Sequence, residues 1–412
     1  MNKKTLIKLA GTLVALVVLY FIFAPTEKQD IAGAILSALE PNKVSRIQID
    51  QGENKLELSV KDKNWVVTSR GDYPADSSKI RALLVRLAEV NTDQLVTRNK
   101  KNHLNLGVTD EDVKAGKSKV TLYDPAGKVL SGLYIGNARN KGSGEGEFSL
   151  GVILGQYVRA VNSDDVYVIP EPVTAVAKPN HWLDTTLTDI IANKVETIEQ
   201  KSGADVQFVV KRDFQVEPGK PGMFKLTVPP VADRKVKENI LIQLRSGLEA
   251  FRFEDVIPAG DPSAQSLIFD RSTKYTLTDG TIYIVKTAEY DSKFFAKIEV
   301  GFSEEAITAT KERHQVKLDQ SQQAQAQVSA SSSSSSSSGD TNLLPEPKYT
   351  TAEESAKLNA QFFKWVYQIP KFGVEKFRYA QADLFEISTT PQAQPRKANA
   401  REKTNSANKR QK

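Results

Sequence analysis

The first pattern along the chain is an apolar run from Leu6 to Phe23, interrupted by Lys8 and the milder Gly11 and Thr12. As a helix rising 1.5 Å per residue it spans about 27 Å, close to the ~30 Å hydrocarbon core of a bilayer. Lys3, Lys4 and Lys8 lie at its start and Tyr20 near its end. The positive-inside rule therefore places the N-terminus in the cytoplasm and everything after Thr26 outside. A cleavable signal peptide has the same order of charges and apolar residues. Because Ile22-Phe-Ala-Pro-Thr-Glu lacks the small-x-small pattern of a cut site, residues 1–26 are expected to stay as a single-pass anchor, with the lipid bilayer as partner of Leu6 to Phe23.

After a short stalk the period changes. Val44, Ile47 and Ile49 open a strand, Leu56, Leu58 and Val60 alternate along a second, and Trp65 to Thr68 make a third. Tyr73-Pro-Ala-Asp then leads into Ile80, Leu83, Leu84, Leu87 and Ala88, the stripe of an amphipathic helix capped by Asp76 or Ser77. Further strands are predicted at Gln94 to Thr97, Lys119 to Tyr123, Val129 to Ile135, Tyr157 to Val161 and Val166 to Ile169.

The same order returns about 150 to 157 residues later, which points to an internal repeat. Val195 and Ile198 answer Val44 and Ile47; Val206, Phe208 and Val210 alternate in their turn; Phe224-Lys-Leu-Thr answers Trp65-Val-Val-Thr. Ala232-Asp233 answers Ala75-Asp76, and Val236, Ile240, Leu244 and Leu248 form a second stripe, with Asp233 expected to cap its helix. The pattern predicts an α+β fold of two duplicated modules, each an antiparallel sheet with one helix on a face, at residues 40–184 and 188–312.

Residues 315–346 are rich in Gln, Ala and Ser, with eight consecutive serines from Ser331 to Ser338. Such a stretch buries too little to offset its ordering entropy and is expected to be a disordered linker. In the segment 350–388, Thr351 and Glu354 fit a capping box, and Leu358, Phe362, Trp365, Val366 and Ile369 form one apolar stripe ending at Pro370. These five residues are the candidate partner-binding surface, because a lone amphipathic helix must dock on its own body, a partner or a membrane surface.

Composition narrows the chemistry. Zero cysteines among 412 residues exclude disulfides, thiolate nucleophiles and cysteine metal sites. The formal charge of +6 is carried by residues 392–412, which hold seven basic residues and one acidic; the basic tail, 390–412, is expected to be disordered. The rest is nearly neutral, which argues against nucleic acid as a partner. His103, His181 and His314 stand far apart, and Asp110-Glu-Asp112 and Asp164-Asp165 fall in turn-like stretches. No nucleophile elbow or phosphate loop occurs; Gly142-Ser-Gly-Glu-Gly is followed by no helix or Lys-Ser/Thr pair. Trp65, Trp182 and Trp365 sit among apolar neighbours and read as packing residues. No catalytic residue, cofactor, metal or small-molecule ligand is assigned.

The whole resembles the bacterial domain-of-unknown-function 4340 family. The resemblance is carried by the N-terminal anchor, Val44-Ser-Arg-Ile-Gln-Ile, Asn64-Trp-Val-Val-Thr, Tyr73-Pro-Ala-Asp, Lys79-Ile-Arg-Ala-Leu-Leu, His103-Leu-Asn-Leu-Gly, Leu133-Tyr-Ile-Gly, Tyr157-Val-Arg, Val166-Tyr-Val-Ile, His181-Trp-Leu-Asp and Phe363-Lys-Trp-Val-Tyr-Gln-Ile-Pro. It implies a protein of the bacterial inner membrane with a periplasmic body, accessory to an ABC-transporter-type complex, and it supplies no catalytic residues. The expected function is a non-enzymatic extracytoplasmic scaffold. A module holding a small molecule, glycan or lipid between the repeats is the alternative, and a carboxylate-dependent hydrolase the third reading.

Overall fold

The computed structural model describes residues 36, 39–90, 94–140, 153–217, 220, 222–331 and 346–386. The apolar run Leu6–Phe23, the Gly142 loop, residues 332–345 of the Ser-rich stretch and the basic tail lie outside the described residues. Among the described residues no helix is long and apolar enough to cross a membrane. The chain is α+β, with large antiparallel sheets and several helices. It forms two compact units, one reaching to Thr185 and including Glu254–Pro258, the other made of Thr186–Phe253 and the chain from Ala259.

In the first unit the strands are β1 (Arg46–Gln51), β2 (Asn54–Lys61), β3 (Asn64–Val67), β4 (Tyr73–Pro74), β5 (Gln94–Thr97), β6 (Ser118–Tyr123), β7 (Val129–Asn140), β8 (Ile153–Ala160) and β9 (Val166–Ile169). They order as β4-β3-β2-β1-β6-β7-β8-β9-β5. The period-two alternation sets the register: Ile47 faces Leu58 and Ile49 faces Leu56, and all four are fully buried. Helix α1 (Ser77–Ala88) buries Ile80, Leu83, Leu84 and Leu87. Its first turn is closed by the Asp76 carboxylate, which accepts from the amides of Ser78 at 3.0 Å and Lys79 at 3.3 Å. Against the opposing effect of burial, a bond from the Ser78 hydroxyl and these two amide bonds, with Lys79 adding its charge, hold the Asp76 carboxyl below its usual range. Truncating a fully buried leucine such as Leu87 to alanine would cost about 2–5 kcal/mol.

The second unit contains β10 (Thr186–Thr188), β11 (Val195–Ser202), β12 (Asp205–Arg212), β13 (Phe224–Val228), helix α2 (Glu238–Arg245) and β14 (Phe251–Arg252). After β15 (Asp255–Pro258), which belongs to the first unit, come β16 (Arg271–Leu277), β17 (Thr281–Tyr290) and β18 (Lys293–Phe302). Helix α3 (Glu304–Ser331), helix α4 (Ala352–Phe362) and β19 (Trp365–Ile369) follow. In this sheet β13-β12-β11-β16-β17-β18-β19 are neighbours in that order. The order matches β3-β2-β1-β6-β7-β8-β9 of the first unit strand for strand. The last two strands of each series are linked by residues 161–165 in the first unit and by residues 303–364 in the second.

Three expectations are corrected. Trp365, Val366 and Ile369 lie on a strand, not a helix: α4 ends at Phe362, and β19 pairs Tyr367 with Ala296 and Ile369 with Phe294. An aromatic and β-branched run next to an open sheet edge gains a ladder of backbone hydrogen bonds that a further helical turn would not supply. Residues 315–331, expected as linker, continue helix α3 instead, which also erases the expected boundary between 312 and 315. Lys, Glu, Gln and Ala are strong helix formers, and α3 starts from a packed first turn in which Ala306 and Ile307 are buried. Asp233 does not cap α2, whose first residue is Glu238 and whose N-cap, Lys237, makes no side-chain cap. Val236 instead bridges Phe385, and the Lys237 amide donates to the Leu384 carbonyl at 2.8 Å.

Candidate functional site

The C-terminal segment is seated on its own unit. Thr351 and Glu354 form the expected capping box: the Thr351 hydroxyl accepts from the Glu354 amide at 3.1 Å, and the Glu354 carboxylate accepts from the Thr351 amide at 2.9 Å. The Asn359 side chain accepts from the Val300 amide at 2.8 Å, fastening α4 along β18. Beyond β19 the Phe377 carbonyl accepts from Gln200 at 3.0 Å and Thr273 at 3.3 Å, and Arg378 spans the Asp270 carboxylate at 2.9 and 3.1 Å.

The five candidate residues divide accordingly. Val366 and Ile369 are core, 0% and 1% exposed, and offer no surface to a partner. Leu358 is half-buried on α4. Phe362 and Trp365, also half-buried, come together with Phe363 over Lys297, Ile298 and Glu299 of β18 to line a groove of about 350 Å³. Phe363, which sequence reasoning missed, is 71% exposed. The Phe362–Phe363 pair at the helix end was visible in the sequence, but which of the two would turn outward depends on where α4 stops.

The charges beneath these rings are engaged. The Lys297 ammonium lies 4.7 Å from the centre of the Phe269 ring, and Glu299 takes the Lys286 ammonium at 2.5 Å. The groove is thus an aromatic depression with a nearly neutral floor, suited to receiving an apolar or aromatic side chain.

The polar groups noted in the sequence have structural occupations. His103 is 5% exposed, and its Nε2 donates to the Asp164 carbonyl at 3.0 Å. Asp164 pairs with Lys100 at 3.1 Å and Asp165 with Arg98 at 3.2 Å. Asp112 closes a capping box on Thr109. Asp110 accepts from Lys119 at 3.0 Å and from the Tyr134 hydroxyl at 2.9 Å, and the lysine holds its carboxyl below the usual range. The His181 ring stands edge-on to Trp182 at 5.1 Å, and burial lowers its pKa. Trp182 is 2% exposed and donates to the Val176 carbonyl at 2.8 Å. Among the described residues no group of three or more His, Cys, Asp or Glu is placed to hold a metal ion.

No curated protein matches the chain, and no solved structure matches it. The family model described as domain of unknown function 4340 matches residues 65–268, a span running from β3 of the first unit past β15. Through that span the chain belongs to the domain of unknown function 4340 family.

Proposed function

We propose that this chain is a non-enzymatic, membrane-tethered extracytoplasmic scaffold that receives a partner protein in the aromatic groove of its second unit. The observation that carries the reading is Phe363: a ring 71% exposed, beside the half-buried Phe362 and Trp365, on a segment seated by a sheet strand and side-chain bonds. Large rigid aromatics held ready in a depression lose little entropy on association and act as anchors at interfaces. The shared strand order of the two sheets supports reading them as copies of one module, with the groove on the copy that carries the long connection. The run Leu6–Phe23 supports the tether, with the N-terminus in the cytoplasm and the units outside. The partner class implied by the family resemblance is a permease or auxiliary subunit of an ABC-transporter-type envelope complex.

The test is a photo-crosslinking residue at Phe363, in the full chain at native abundance in intact membranes. A crosslink to a permease or auxiliary subunit, lost when Trp365 is also replaced by serine, is the expected result. Abundant membrane-bound chain with no crosslink beyond that of a probe at exposed Val316 would refute the scaffold reading.

A further inference from the structure

A second groove lies in the first unit, in a region for which no role has been assigned. Its volume is about 510 Å³. Strand β2 contributes Val60, the turn after it Lys63, β3 contributes Trp65, helix α1 contributes Arg81 and Val85, and Lys43 adds to the lining. Val60 and Val85 are 39% and 40% exposed, and Trp65 is half-buried, so the groove has an open apolar surface.

Its charge is one-sided. Among the described residues Lys43, Lys63 and Arg81 line it, and no carboxylate does. Three acidic residues near it in sequence are engaged elsewhere: Glu40 takes Lys43 at 2.7 Å, Asp76 caps α1 and reaches Lys79 at 3.5 Å, and Asp72 takes Lys61 at 2.6 Å; Asp62 precedes Lys63 in the exposed turn. Neither Lys63 nor Arg81 makes an ion pair among the described residues. An arginine, a lysine and an indole lining one groove are the groups that take a phosphate by charge and its apolar substituent by stacking and burial.

The second unit shows that the fold does not require this groove. There the aromatic that opens β13, Phe224, is 2% exposed. At the start of α2 the carboxylate of Glu238 accepts from the Gly222 amide at 3.2 Å. The same strand order thus buries this aromatic in one unit and leaves it half-exposed in the other.

We infer that the Trp65 groove binds a phosphate ester, with Lys63 and Arg81 holding the phosphate and Trp65, Val60 and Val85 covering its apolar part. Such an ester occurs free in solution or as the head group of an anionic phospholipid, and two arms of one experiment separate these sources. The full chain carrying Trp365→Phe is placed in phosphatidylcholine nanodiscs, leaving Trp65 and the buried Trp182 as fluorophores. One arm titrates phenyl phosphate, with phenol as the uncharged control; the other replaces the discs by ones containing phosphatidylglycerol.

A saturable change in Trp65 emission in either arm, at least tenfold weaker in the Lys63→Ala/Arg81→Ala variant, is expected. A response to phenyl phosphate assigns the free ester, and a response confined to phosphatidylglycerol discs assigns the lipid. Equal responses to phenol and phenyl phosphate, equal responses of the double variant and its parent, or silence in both arms would overturn the inference. Because Lys63 and Arg81 are both exposed, the double variant should fold; an unchanged urea midpoint confirms that it has.

Discussion

Arg313 spans the Glu196 carboxylate with both terminal nitrogens, at 3.2 and 2.9 Å, and so ties the third turn of helix α3 to the first residues of β11. The guanidinium also lies 3.9 Å from the centre of the Phe214 ring. Side-chain exposures of 27% and 18% make this a well-shielded pair, bidentate and stacked. Arg313→Ala would leave Glu196 with a desolvation cost and no forked partner. The expected loss is about 1–3 kcal/mol in urea unfolding of the second unit, with Arg313→Lys recovering less than half because a lysine cannot span both oxygens.

Beyond Arg313 the helix changes character. Most of residues 315–323 are exposed, Val316 at 53% among them, and no apolar stripe continues along it. Both ends of the connection are nonetheless fixed, since Lys311 lies 5.2 Å from the centre of the Tyr349 ring and the Thr350 amide donates to Asp279 at 2.9 Å. Replacing residues 318–343 by a short Gly/Ser link should therefore change the unfolding free energy by no more than about 0.5 kcal/mol. A loss of several kcal/mol in urea titration would show that this stretch is packed.

Gly247 and Tyr275 are coupled by space. The Tyr275 hydroxyl donates to the Leu244 carbonyl at 3.0 Å, and a Cβ built on Gly247 would lie 2.8 Å from Tyr275 Cζ and closer still to its oxygen. Gly247→Ala is expected to cost about 2–3 kcal/mol through overpacking, and Tyr275→Phe about 1–2 kcal/mol through a lost buried hydrogen bond. Removing the oxygen also removes the worst overlap. The double variant should fall short of the sum by about 1 kcal/mol, which a double-mutant cycle measures.

Lys376 provides a pH signature. Burial against the Phe251 and Phe377 rings, whose centres lie 5.5 and 5.6 Å from its ammonium, lowers its pKa to about 8, and the Glu249 charge only partly opposes this. An unfolded lysine stays protonated to about pH 10.4, so between pH 8 and that value the unfolded chain binds more protons and stability rises with pH. Below pH 8 both states are charged and the full penalty, of order 3 kcal/mol, is present. Lys376→Met should accordingly raise stability by about 1–3 kcal/mol at pH 7, with the gain over the parent shrinking to nothing by about pH 10.5. A gain independent of pH across that window would mean that the charge is not the cause.

Much of the first unit was legible in the sequence because one periodicity dominated each element. Ile47, Ile49, Leu56 and Leu58 alternate cleanly, and Ile80, Leu83, Leu84 and Leu87 fit a single helical stripe behind an Asp cap. The C-terminal segment misled because Leu358, Phe362, Trp365, Val366 and Ile369 also fit a helical stripe, and only the partner strand Phe294–Ala296 decides otherwise. A cue was present: Trp365-Val-Tyr-Gln-Ile resembles Val166-Tyr-Val-Ile, and it occupies the same place in its sheet. The groove of the first unit was not legible, since Val60, Lys63, Trp65 and Arg81 belong to separate elements and nothing in their spacing announces a shared wall.

The long connection before β19 carries one more consequence. Lengthening the path between adjacent strands roughly tenfold costs only about 2 kcal/mol in closure entropy, a small sum beside the β18–β19 ladder, the Asn359 contact and the Arg378–Asp270 fork. A nick among the serines would therefore leave the final strand clasped in place, and the severed tail, supplied as a free peptide of residues 346–386, would reassemble with the rest. Cut there, the molecule is expected to behave as a pair of complementing fragments.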